Sequence, residues 1–310
     1  MEPLRCGDRV LPFGRHTYIM GILNATPDSF SGDGLLGQID RIVERGRRFV
    51  AAGADILDVG GESARADVRT LTPDEEIERV VPVIERLAHE VDAVISIDSY
   101  KEAVVEAAVG AGARLINDIG GFKLGTGTAR IAARQRVPLV VNYTFERPKI
   151  RPAAPPLYTD LVAEHLAFFR ERIAQAVVLG VERSQLVLDP GIAFGKSHDE
   201  DLTILRHLSE LRELGQPLLV AASRKHFIGS VLGLPPEERL EGTAAVVALA
   251  IAQGADIVRV HDVQAMARVA RMADALVRAE PGDYAASADS WPWAAAALAI
   301  PGTTIVPSDS

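Results

Sequence analysis

Residues 186–202, LVLDPGIAFGKSHDEDL, stop an apolar run on Asp189 and then bend the chain with Pro190, Gly191 and Gly195. The pattern recurs. Other apolar runs end on Asn24, on Gly61-Glu62-Ser63 with Arg65, on Asp98, on Asn117 with Asp118, on Asn142, on Ser223-Arg224-Lys225, and on Arg259 with His261 and Asp262. An Asp or Asn after a strand is commonly a turn former or helix cap. Asp118 and Asp262 are read that way, and Asn142 fits either reading. As a set the residues describe a polar ring. Asp98, Asn117 and Asp189 offer acceptors and an amide to a flat heterocycle bearing N–H and amino groups, such as a 2-amino-4-oxopterin or a guanine. Lys225 can serve the carbonyl side of the same ring. Arg259 and His261, two residues apart on one strand, project to one side, and Asn24 ends the strand that would close against theirs. Two cations and an amide oxygen there suit a diphosphate carrying Mg2+.

Such a ring needs strands whose C-terminal ends gather on one face. Eight apolar runs qualify, at 17–24, 55–60, 93–98, 114–119, 138–143, 186–191, 217–223 and 256–262. Amphipathic stretches such as 38–54, 73–90, 159–180 and 241–255 lie between them, with a short, weakly marked helix near 128–136. Strands apolar enough to be buried on both faces, alternating with helices, predict an α/β fold, a (β/α)8 TIM barrel whose βα loops carry the site. Residues 1–16 predict an N-terminal hairpin capping the bottom, 17–280 the barrel, and 281–310 a C-terminal extension. The extension's Ala, Pro and Ser content points to partial disorder, against which Trp291 and Trp293 argue.

Composition narrows the class. The single cysteine, Cys6, rules out an intrachain disulfide and a cysteine-held metal cluster, and is expected to have no special role. With 42 acidic against 33 basic residues and a net charge of -9, general attraction to nucleic acid or to anionic membranes is unfavourable. No run reaches the ~18 apolar residues of a membrane span, and the first residues lack a secretory apolar core. The cytoplasm is therefore the expected location, with small molecules as the expected partners.

Seven blocks, GILNATPDSFSGDG, DVGGESAR, SIDSYK, LINDIGG, LDPGIAFGK, ASRKHFIG and VRVHDV, resemble in that order those of the dihydropteroate synthases. The similarity runs from about residue 4 to residue 279. The resemblance implies condensation of 6-hydroxymethyl-7,8-dihydropterin diphosphate with p-aminobenzoate, releasing diphosphate, in folate synthesis. It implies that Asp98, Asn117, Asp189 and Lys225 hold the pterin, and that Asn24 contacts Mg2+-diphosphate while Arg259 and His261 bind its oxygens. Ser63, Arg65, Phe194 and Ser223 would line the p-aminobenzoate side. The residues implied to act in catalysis are Lys225, Arg259, His261 and, in the first loop, Asp33. A homodimer packed through barrel helices is also implied, as is a sulfonamide target.

Three stretches depart from the family pattern. The first loop reads Ser31-Gly32-Asp33-Gly34 where Ser-Asp-Gly-Gly is usual, which shifts the carboxylate by one position. Ala66-Asp67 replaces Pro-Gly after the second-loop arginine, and Asn142-Tyr143-Thr144 replaces Met-His-Met at the end of strand five. These changes keep two alternatives in play: a noncatalytic pterin-binding paralogue, and an enzyme like the methyltetrahydrofolate methyltransferases. The second would have little use for Arg259, His261 or the Ser-Arg-Lys block.

Overall fold

The computed structural model describes residues 1–25, 34–62, 69–145 and 158–280. Eight parallel strands form one sheet: β3 (Tyr18–Asn24), β4 (Ile56–Gly60), β5 (Val94–Asp98), β6 (Leu115–Asp118), β7 (Leu139–Asn142), β8 (Leu186–Asp189), β9 (Leu219–Val220) and β10 (Ile257–Val260). Each pairs with its sequence neighbour, β10 pairs with β3, and a parallel bridge between Leu188 and Leu218 joins β8 to the β9 segment and closes the barrel.

The strands fall within one or two residues of the apolar runs, except the seventh. There only Leu219–Val220 joins the ladder, against an expected 217–223. The late start comes from the run's first two residues. Pro217 has no N–H to donate, and the Leu218 N–H goes to the Asp256 carboxylate at 3.0 Å.

Helices α1 (Gly34–Ala51), α2 (Pro73–Glu90), α3 (Glu102–Gly110), α4 (Gly127–Gln135), α5 (Leu161–Val178), α6 (His198–Arg206), α7 (His226–Leu232), α8 (Leu240–Ala252) and α9 (Val263–Val277) fill the gaps. Their starts are written in the sequence. Thr72 with Glu75 makes a capping box on α2, with Pro73 at the first helical position, and Ser197 with Glu200 makes another on α6.

The period-two alternation of the strands sorts the core into two parts. Outward residues such as Leu23, Leu57, Ile97 and Val141 pack under the helices. Inward residues Met20, Ile56, Val94, Leu115, Val140, Val187, Leu219 and Ile257 form an apolar floor. The hairpin β1 (Leu4–Cys6) and β2 (Arg9–Leu11) plugs that floor with Leu4, Cys6 and Leu11. Burial pushes the Cys6 thiol up to about 12, so it stays an unreactive core residue. Above the floor the same inward positions turn polar. The expected extension, 281–310, lies outside the described residues.

Candidate active site

The inward polar positions begin with Asp58 on β4, a residue without solvent exposure. Its Oδ2 accepts from Arg259 Nε at 2.6 Å and from Asn117 Nδ2 at 2.9 Å. Arg259 Nη2 donates to Asp98 Oδ2, also at 2.6 Å. Four strands, β6, β4, β10 and β5, are thereby joined across the barrel interior. Four buried oxygens around this chain have no partner among the described residues: Asp58 Oδ1, Ser96 Oγ, Asn117 Oδ1 and Asn142 Oδ1. Orphaned buried oxygens cost roughly 1–3 kcal/mol each, and those of Asn117 and Asn142, at inward positions near the strand ends, mark a surface made to meet donors. Burial, with the Asp58, Glu76 and Asp189 charges, pushes Asp98 up to about 7, although Arg259 opposes the shift.

Asp189 ends β8 on the same level, opposite Asn142 in register. Its Oδ1 accepts from Gly191 N at 2.7 Å, which leaves Oδ2 for a ligand. Gly191 holds φ +64 with its backbone so near Tyr143 O that an added Cβ would lie 1.8 Å away, so no other residue fits the bend. Two lysines hold the carbonyls that follow. Lys196 Nζ donates to Pro190 O at 3.1 Å and to Gly191 O at 2.6 Å, and Lys225 Nζ donates to Ile192 O. Lys225 also lies 5.0 Å from the centroid of the half-buried Phe194 ring. Burial lowers Lys196 to about 7 and Lys225 to about 8, the nearby Asp201 and Asp189 charges opposing.

At the β10 end, Ser223 Oγ accepts from His261 N at 3.2 Å and lies 3.1 Å from its Nδ1. Burial, then the Arg259 charge, lowers His261 to about 4. In the ligand-free protein this histidine therefore offers a hydrogen bond, and Arg259 carries the charge of the pair. Arg259 also lies deeper than a purely diphosphate-binding residue needs to, held by two carboxylates. Asn24 stands exposed at the end of β3, beside Gly60. Asp118 and Asp262 are structural: the first accepts from Thr128 Oγ1 and Gly120 N, and the second pairs with Arg224. Asp33, Ser63 and Arg65 lie outside the described residues.

A model of the pterin binding enzyme family matches residues 20–261. The dihydropteroate synthase of Bacillus subtilis is 45% identical over 267 residues, covering 86% of this chain and 91% of that one. The Escherichia coli K12 enzyme is 38% identical over 265 residues, 86% and 93% of the two chains. The chain belongs to the dihydropteroate synthase family. Solved members superpose closely. The Clostridium difficile dihydropteroate synthase, in the presence of pteroic acid, gives a TM-score of 0.82 at 40% identity over 87% of this chain and all (100%) of that one. The Xanthomonas albilineans enzyme with 4-aminobenzoic acid gives 0.82 at 39% identity over 90% and 99%.

Within the dihydropteroate synthase framework the fold brings Asp98, Asn117, Asp189, Lys225, Arg259 and His261 to one mouth. It adds residues that the reading of strand ends passed over. Asp58 and Ser96 lie one inward step below the strand tips, inside DILDVG and AVISID, where a charged or hydroxyl residue in an apolar run at inward parity was the available signal. Asn142 is resolved as an inward residue, its Nδ2 donating to Tyr143 O at 2.9 Å. Tyr143, at the departure from the family's Met-His-Met, stacks on buried His165 with centroids 3.7 Å apart, outside the polar ring. The change therefore alters the wall behind the Asp189 bend as well as the pocket.

Proposed function

We infer that this barrel condenses 6-hydroxymethyl-7,8-dihydropterin diphosphate with p-aminobenzoate, giving 7,8-dihydropteroate and diphosphate. The observation that carries the reading is an acceptor-lined floor, with Asn117 Oδ1 and Asn142 Oδ1 unpartnered, placed beside the cations Lys225 and Arg259. Asp98, Asn117 and Asp189 take the N–H and amino groups of the pterin, and Lys225 donates to its carbonyl. Arg259 and His261 donate to the diphosphate, and Ser63, Arg65, Phe194 and Ser223 are assigned to p-aminobenzoate.

The bond from the pterin's exocyclic methylene to the diphosphate oxygen breaks, and its electron pair leaves with diphosphate. The Arg259 charge stabilises that departure. The pterin ring delocalises the resulting cation, and the arylamine nitrogen forms the new C–N bond, losing a proton. No protein nucleophile is required, because the leaving group departs before the new bond forms. Asp33 is assigned to the same step through the first loop.

Mg2+ belongs to this reading as a companion of the diphosphate. Among the described residues no group of three His, Cys, Asp or Glu side chains could hold a metal. A hard cation carried mostly by phosphate oxygens needs few protein ligands, and the exposed Asn24 amide oxygen supplies one. When bound, Mg2+ would neutralise charge on the leaving group.

We also assign a homodimer to the chain. Val231 and Leu232 on α7, Leu249 on α8, and Met272 and Leu276 on α9 are exposed apolar residues on three successive helices, an arrangement that suits a self-association face. Sedimentation checks this assignment, a monomer at micromolar concentration ending it. No helix among the described residues is long and apolar enough to cross a membrane, and a cytoplasmic location is part of the same proposal.

Diphosphate release and dihydropteroate formation should appear in step, depend on Mg2+, and vanish together in Lys225→Ala. Pterin binding without turnover would instead favour the noncatalytic alternative. The pH profile is a separate check. Binding needs Asp98 ionised to accept and Lys225 protonated to donate. Acid protonates Asp98 near 7 and alkali deprotonates Lys225 near 8, so kcat/KM for the pterin substrate should peak between them. Lys225→Arg should flatten the alkaline limb, and a wild-type profile level from pH 6 to 9 would refute these assignments.

A further inference from the structure

Asp58 has no place among the residues assigned so far, yet two of them hang on it. Its Oδ2 accepts from Arg259 Nε, a group that can only donate. The same oxygen must therefore be an acceptor toward Asn117 as well, so the Asn117 atom facing it at 2.9 Å is the amide nitrogen. This settles the direction of the amide. With Nδ2 committed to Asp58, Asn117 Oδ1 is left buried and unpartnered, on the strand next to Asp98 and in register with it. The guanidinium of Arg259 is fixed in the same way, between Asp58 and Asp98. Asp58 has no solvent exposure, so it acts through the groups it holds.

We propose that Asp58 is a specificity-determining positioning residue: by holding the Asn117 amide and the Arg259 guanidinium, it fixes the floor as an array of acceptors. Such a floor takes a 2-amino-4-oxopteridine, whose amino group and ring N–H donate, and refuses a 2,4-dioxopteridine, whose C2 oxygen meets acceptors. The inference rests on the pterin reading above. Without Asp58, the Asn117 amide is free to turn its N–H groups toward the ligand, and the distinction between the two rings fades. Discrimination by a site of paired polar groups is large because the wrong ligand leaves buried atoms unsatisfied.

The test is calorimetric binding of 6-hydroxymethylpterin and its 2,4-dioxo counterpart, without p-aminobenzoate, to the wild type, Asp58→Ser and Asp58→Asn. The wild type is expected to prefer the 2-amino ring by about 100-fold or more. Asp58→Asn keeps an acceptor oxygen at the same reach and should hold that preference to within about threefold. Asp58→Ser is too short to reach either partner and should lower it at least about tenfold. Full preference in Asp58→Ser, loss of preference in Asp58→Asn, or none in the wild type overturns the proposal. If Asp58→Ser does not fold, Asp58→Asn decides alone: preference kept supports the proposal, preference lost overturns it. A wild type that discriminates between the rings but forms no dihydropteroate would strike the proposed reaction and leave the role of Asp58 standing.

Discussion

Asp189→Asn is expected to lower kcat/KM for the pterin diphosphate by about 10^3 to 10^4, with little change in KM for p-aminobenzoate. The shape of the side chain is kept. What changes is one atom: the Asn oxygen must remain on Gly191 N, the 2.7 Å bond that sets the bend. The new amino group then occupies the place of Oδ2 and points a donor at the donors of the pterin. The wrong pairing forfeits two charge-assisted hydrogen bonds, each contributing about 1.5–3 kcal/mol. Stability should not fall with activity. Burial raises Asp189 above the usual carboxylate range, Lys225 opposing, so ionising it costs folding energy at neutral pH and the uncharged isostere escapes that cost. Steady-state kinetics with each substrate varied, beside a thermal melt, reads both effects. A loss below tenfold, or one shared equally by the two substrates, would remove Asp189 from the pterin pocket.

The same residue shows what a sequence can and cannot disclose. An aspartate at the end of LVLD, followed by Pro and Gly, announces a strand end and a bend, and both are present. Which oxygen the bend consumes depends on Tyr143 and Gly191 coming together from different strands, and no local pattern encodes that. Arg259 makes the point more strongly. Its position on the last strand and its nearness to the first strand follow from barrel closure, but its carboxylate partners lie 201 and 161 residues away in the chain. Its engagement with Asp58 and Asp98 is therefore a tertiary fact. Asp58 was within reach: counting inward by twos from Gly60 places it in the barrel beneath the mouth. DILDVG reads as an apolar run, which masks the one charged residue inside the strand at an inward position. The neutral state of His261 depends on the burial that only packing creates. The late start of strand seven has a local and legible reason in Pro217, which has no N–H to donate.

Polar residues at strand tips must be held by something beneath and beside them, and for β4 that support is ionic. Lys101, at the start of α3, donates to Glu62 Oε2 and Glu76 Oε2, each at 2.6 Å, and to Leu71 O at 2.9 Å. The three side chains are only 11%, 7% and 1% exposed, so the cluster lacks the solvent screening that weakens surface pairs. Glu62 also accepts from Leu71 N at 2.7 Å and from Tyr100 OH at 3.1 Å, which ties the end of β4 to the approach to α2. Lys101→Met keeps the length of the stem and removes the charge, leaving the buried Glu76 carboxylate without the ammonium that pairs with it. Breaking a buried pair in this way costs about 3–5 kcal/mol, a fall in Tm of about 10 °C for a domain of this size. Most of that cost is the stranded negative charge and not the lost attraction. Adding Glu76→Gln should therefore return part of the loss, about 1–2 kcal/mol, because it removes the Glu76 charge that Lys101 no longer offsets. Denaturant or thermal unfolding of the single and double variants measures this. If Lys101→Met melts within 2 °C of the wild type, on a scale of about 2–4 °C per kcal/mol, the cluster is a bystander and β4 is held by its apolar face alone.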